Sequence, residues 1–133
     1  MNLEIQVRER EGIRIFDFEG RLTVGEVEAV RERVRALVAE GRPRLIFNLR
    51  EVQYIDSTGL GALVMCYTAV EKAGGGLKLL HLNRRNIELL VLTKLSTVFE
   101  IFDDEQQAVN SFFPNREIRR FDILEFVRRQ GEE

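Results

Sequence analysis

Cysteine and histidine are almost missing from this chain. Its 133 residues include one cysteine, Cys66, and one histidine, His81. An intramolecular disulfide is excluded, and so is a zinc-type site built from cysteine and histidine ligands. The sequence therefore implies no metal and no cofactor. Proline occurs twice, at Pro43 and Pro114, and both positions read as boundaries between elements. No apolar run approaches the ~20 residues needed to cross a bilayer, so direct membrane insertion is not expected. Met1-Asn2-Leu3-Glu4 has no basic region followed by an apolar stretch, and no secretory leader is expected. One-sided charge is also lacking: the net charge is −2, which offers no electrostatic excess for nucleic acid or an anionic membrane. Together these features point to the cytoplasm.

What is present is a balanced globular composition, 44% apolar and 32% charged, enough for one folded domain with a real core. Leu3, Ile5 and Val7 alternate with polar residues, as in a half-buried strand. Glu11-Gly12 reads as a tight turn into a second, antiparallel strand through Ile13, Ile15, Phe16 and Phe18. Thr23 and Glu26 have capping-box spacing before a helix with Val27, Val30, Val34, Leu37 and Val38 on one stripe. Gly41-Arg42-Pro43 ends that helix. Leu45 to Leu49 is nearly all apolar, as expected for a central strand. A helix follows Ser57 and stops at Gly74-Gly75-Gly76. Leu77 to Leu82 predicts another central strand, with His81 inside it. Asn83 is placed to cap a helix through Ile87, Leu90 and Val91. Phe99 to Phe102 predicts a short last strand, and Asp103 or Asp104 caps a helix with Ala108, Val109 and Phe112.

After the antiparallel opening, strands and helices alternate. This implies an α/β fold with a mixed, mostly parallel sheet. Residues 1–113 form that domain. Residues 114–133 form an amphipathic helical extension through Ile118, Phe121, Ile123, Leu124, Phe126 and Val127, which either packs on its own domain or makes a homodimer or partner contact. In a parallel sheet, the loops leaving the C-terminal ends of the strands share one edge, where sites tend to lie. Gly20–Thr23, Gln53–Thr58, Leu82–Asn86 and Asp103–Asp104 are those loops. Arg84 and Arg85 are thus expected on the same edge as Ser57.

The most informative stretch is Asp56-Ser57-Thr58-Gly59-Leu60-Gly61, between a buried strand and a buried helix. Free N–H groups and the positive end of the helix dipole meet there, and a phosphate would be well accommodated. Asp56 reads either as a helix cap or as a group orienting the Ser57 hydroxyl or a kinase's metal. Gly59 and Gly61 are expected to permit close backbone approach. Cys66 falls on the apolar face of this helix and reads as a buried thiol. A hydrolase built on Ser57, Asp56 and His81 is disfavoured because the Gly-x-Ser-x-Gly elbow is absent. Gly74-Gly75-Gly76 is not followed by lysine and Ser/Thr in P-loop spacing, and reads as a helix stop.

Leu45–Leu63, centred on Asp56-Ser57-Thr58-Gly59-Leu60-Gly61, resembles the STAS domain of bacterial anti-sigma factor antagonists, with element order matching over about residues 3–113. The resemblance implies no catalytic residue in the chain. It implies that the chain binds an anti-sigma factor that is also a serine kinase, of the histidine-kinase-like ATPase type, so freeing a sigma factor. Phosphorylation of Ser57 would end that binding, and a separate protein phosphatase would restore it. The implied partner-binding residues are Asp56, Ser57, Thr58, Gly59, Arg21, Thr23, Arg84 and Arg85. Many members carry an acidic residue in the loop after the second strand, and here the matching position is Thr23. STAS domains also serve as subunits of lipid-transport complexes and of stress-signalling assemblies. That reading stands as the alternative.

Overall fold

The computed structural model describes residues 3–132. Met1 and Asn2, on which part of the leader reading rests, and Glu133, the end of the extension, lie outside the described residues. Strands β1 (Leu3–Arg10) and β2 (Ile13–Leu22) form an antiparallel hairpin. Its turn places Glu11 at φ 52° and Gly12 at φ 82°, the two left-handed residues that match the twist of paired strands. Next come α1 (Val27–Ala39), β3 (Arg44–Ile55), α2 (Ser57–Lys72), β4 (Gly76–Leu80) and α3 (Arg84–Leu92). A short 3₁₀ turn, β5 (Ile101–Phe102), α4 (Glu105–Asn110) and α5 (Ile123–Glu132) complete the described chain. The sheet order is β1-β2-β3-β4-β5, parallel from β2 onwards. The expected mixed, mostly parallel α/β sheet with a C-terminal helix is the fold observed.

Period-2 alternation divides the strand side chains between two apolar layers. Phe47 and Leu49 of β3, with Phe16 and Phe18 of β2, join Val30 and Val34 of α1 and Leu63, Cys66 and Val70 of α2. Phe18 and Phe47 meet edge to face, their ring centroids 5.0 Å apart, and Phe16 lies 5.2 Å from Phe47. On the opposite face, Ile13, Ile15, Ile46 and Leu80 pack on Ala108 and Val109 of α4. Burial in the first layer pushes the Cys66 thiol up to about 11, so it stays protonated and inert at neutral pH.

Several local expectations are corrected. Thr23 and Glu26 do not form a capping box. The Glu26 N–H reaches the Thr23 carbonyl at 3.0 Å, closing a turn in which Gly25 has φ 96°, and the helix begins only at Val27 without a side-chain cap. His81 lies outside the strand. β4 stops at Leu80, and His81 turns to φ 56° while its N–H bonds the Phe102 carbonyl at 2.9 Å. β3 runs to Ile55, six residues past Leu49 by this numbering, because its later half pairs with the end of β2 across register shifts. β5 is confined to Ile101–Phe102. In the extension, Ile118 and Phe121 precede the helix. Phe121 instead donates its N–H to the Ile101 carbonyl at 2.8 Å, so this segment lies along β5.

The extension also touches its own domain through Arg84–Gln130 and through Arg116, which bonds Glu11 at 2.8 Å. A second cross-chain cluster joins β1 to α4. Glu105 receives Arg10 at 2.7 Å and also Arg8, which bonds Asp17 at 2.6 Å. Hydrogen bonds from Arg8 hold the Glu105 carboxyl down at about 2. A depressed carboxyl stabilises the fold above its unfolded value, and that contribution is lost as pH falls through the folded value. Glu105→Gln should therefore be less stable than the native chain at neutral pH. In urea melts the gap should stay constant above about pH 5 and close between about pH 4.5 and 2. A pH-independent gap would contradict the linkage.

Candidate functional site

The end of β3 delivers the chain directly into α2. Asp56 is extended (φ −91°, ψ −177°) and caps the helix, its Oδ1 accepting the Gly59 N–H at 2.7 Å. Its Oδ2 accepts the Val24 N–H at 3.1 Å, and its own N–H donates to the Leu22 carbonyl at 3.2 Å. One aspartate thus fastens the helix start to the loop after β2. The Gly59 N–H, followed by the Val24 N–H, outweighs desolvation and holds the Asp56 carboxyl below the usual carboxylate range. With both oxygens engaged by backbone donors, Asp56 works as a cap and a tether.

Ser57 is the first residue of α2 and is exposed, as is Thr58. Gly59 is buried against the β2 end: a Cβ there would stand 2.0 Å from the Leu22 carbonyl oxygen. Only glycine allows α2 to start this close to β2. Gly61 has no such constraint, since a Cβ there would meet nothing within 4 Å. The expectation of close approach fails at Gly61 because that position faces outward. In the stop after α2, it is Gly75 that is confined, with a Cβ 1.9 Å from the Pro43 carbonyl oxygen.

Arg21 and Arg85 come together on a residue that the sequence reading passed over. Tyr54 pairs in register with Arg21. The Arg21 guanidinium carbon lies 5.3 Å from the Tyr54 ring centroid, and that of Arg85 lies 4.1 Å away. The signal for Tyr54 was present: Val52, Tyr54 and Ile55 continue the apolar pattern of β3 beyond Leu49. Arg84 is turned elsewhere, to Glu88 at 3.3 Å and to Gln130 of α5. Asn83 caps α3 by accepting the Asn86 N–H at 2.8 Å and bonds the Val52 carbonyl at 3.1 Å, which fixes α3 to the end of β3. Thr23 sits partly buried beside Val24, the residue tethered to Asp56.

The chain matches a known family over most of its length. A STAS domain family model covers residues 4–108. This chain belongs to the STAS domain family. It is 35% identical over 101 residues to the anti-sigma-B factor antagonist of Bacillus subtilis strain 168, covering 76% of this chain and 92% of that protein. The crystal structure of an anti-sigma factor antagonist from Mycobacterium paratuberculosis superposes with a TM-score of 0.73 at 21% identity, over 82% of this chain and 92% of that one. The Bacillus antagonist SpoIIAA has been solved in two forms. Its unphosphorylated form gives a TM-score of 0.73 at 17% identity over 86% and 100% of the two chains. Its phosphorylated form gives 0.65 at 18% identity over 82% and 99%. At these identities the structural likenesses carry the fold. No described helix of this STAS chain is long and apolar enough to cross a membrane, and no described group of histidine, cysteine, aspartate and glutamate side chains could hold a metal.

Proposed function

We propose that this STAS domain is an anti-sigma factor antagonist that binds an anti-sigma factor serine kinase, thereby frees a sigma factor, and is switched off by phosphorylation of Ser57. The observation that carries the reading is the position of Ser57: exposed, first in α2, and held by a cap that engages Asp56 rather than the serine. The sequence relatives named as antagonists support the role, and SpoIIAA supplies an example of this fold in a phosphorylated form. The kinase is of the histidine-kinase-like ATPase type, and a protein phosphatase reverses the modification. In the transfer, the Ser57 hydroxyl oxygen bonds to the γ-phosphorus of ATP, the bond from that phosphorus to the ADP oxygen breaks, and the hydroxyl proton is released. This chain supplies the acceptor and no catalytic group.

Phosphorylation adds about −1.5 to −2 charges at Ser57. The helix N-terminus stabilises an anion there, so the fold is retained and the change is one of surface charge. Incubation with the anti-sigma factor kinase of the same genome and ATP, followed by peptide mass spectrometry, should place one phosphate on Ser57. Phosphate on Thr58 or elsewhere would overturn the assignment of Ser57.

A further inference from the structure

We propose that Arg21, Tyr54 and Arg85 form the contact through which this chain grips an acidic, carboxylate-bearing face of its anti-sigma factor partner. The inference rests on the antagonist reading and adds the chemistry of the partner. Most arginines for which the structure shows side-chain contacts are neutralised within the chain. Arg8, Arg10, Arg14, Arg31, Arg35, Arg116, Arg120, Arg128 and Arg129 all lie within ion-pair distance of a glutamate or aspartate. Arg21 and Arg85 belong, with Arg33, Arg42, Arg44, Arg50 and Arg119, to those for which the structure shows no such ion pair among the described residues, and they are the two of that set that share one ring. Both are exposed, and among the described residues neither has a carboxylate within that distance.

Their guanidinium carbons lie instead over the half-exposed Tyr54 ring, at 5.3 and 4.1 Å. A guanidinium near an aromatic ring keeps its N–H donors for a ligand and loses less freedom when it binds one. Asp56, two residues beyond Tyr54, cannot satisfy them readily, because its oxygens already accept the Gly59 and Val24 N–H groups. The loop from Gly20 to Gly25 carries no acidic residue, and the strand carboxylates Glu19 and Glu51 stand outside ion-pair distance of either arginine. The result is a preorganised pair of cations beside the α2 start, suited to a bidentate carboxylate. It also gives the switch a direction, because a phosphate at Ser57 would add negative charge that repels an acidic face.

The test titrates the purified kinase with the full chain and with two double variants. Arg21→Glu/Arg85→Glu should weaken binding by more than about a hundredfold, since both contacts become repulsive. Arg21→Lys/Arg85→Lys should lose about tenfold, because it keeps the charge but loses the planar fork. Native binding should weaken as salt rises, and both variants should keep the native thermal midpoint. If the charge-reversed variant folds and binds as tightly as the native chain, the inference falls while the antagonist reading stands. Should that variant fail to fold, a lysine pair with native affinity and native salt dependence overturns the inference just as well. A native chain that does not bind the kinase overturns both.

Discussion

Gly59→Ala should destabilise the domain by about 3 kcal/mol and lower its melting temperature by roughly 10 °C. Two effects of opposite sign compete at this position. In an unconstrained helix, alanine is favoured over glycine by about 1 kcal/mol. Here the added methyl would stand 2.0 Å from the Leu22 carbonyl oxygen and 3.1 Å from the Ile55 side chain. The carbonyl is backbone, and it already accepts the Asp56 N–H at 3.2 Å, so it cannot move aside without breaking the tether between β2 and α2. The clash wins. Gly61→Ala serves as the internal comparison: with nothing within 4 Å, it should stabilise the domain by about 0.5–1 kcal/mol. Urea and thermal melts of the two variants should therefore shift in opposite directions. A Gly59→Ala variant as stable as the native chain would mean that α2 does not start against Leu22.

Ser57→Asp should weaken binding to the anti-sigma factor kinase about tenfold, Ser57→Ala should keep native affinity, and phosphorylation should weaken it about a hundredfold, or roughly 3 kcal/mol. The graded loss follows from charge: one unit for aspartate, about −1.5 to −2 for the phosphate. Ser57 is exposed and its side chain accepts no cap bond from the described helix start, which Asp56 provides. Its loss to alanine should therefore leave the fold intact. Calorimetric titrations of the three forms give the comparison. Equal affinities for Ser57→Asp and Ser57→Ala would remove the electrostatic account of release.

Periodicity and punctuation made the architecture legible. Alternating apolar residues marked β1 and β2, the continuous Leu45 to Leu49 run marked a central strand, and Asp56 and Asn83 marked two helix starts that the structure confirms as side-chain caps. The errors share a cause: they depend on contacts between segments distant in sequence. Thr23 and Glu26 have capping-box spacing, yet the turn around Gly25 and the bond from Val24 to Asp56 set the geometry there. Gly59 and Gly61 look alike in sequence. Only the approach of Leu22 distinguishes the confined one from the open one. Ile118 and Phe121 fit a helical stripe, but Phe121 finds a backbone partner on Ile101 first. At the candidate site, loop order set Arg84 and Arg85 at the start of α3, where the structure has them. It could not show that Tyr54 would hold Arg85 together with Arg21, while Arg84 turned to α5.

The most direct test of the central claim is a calorimetric titration of the anti-sigma factor kinase with this chain, unmodified and carrying phosphate at Ser57 alone. The account predicts tight binding of the unmodified form, about hundredfold weaker binding of the phosphorylated form, and the same circular dichroism spectrum and melting temperature range for both. Equal affinity of the two forms, or a phosphorylated form that has lost its fold, would contradict a surface-charge switch at the start of α2.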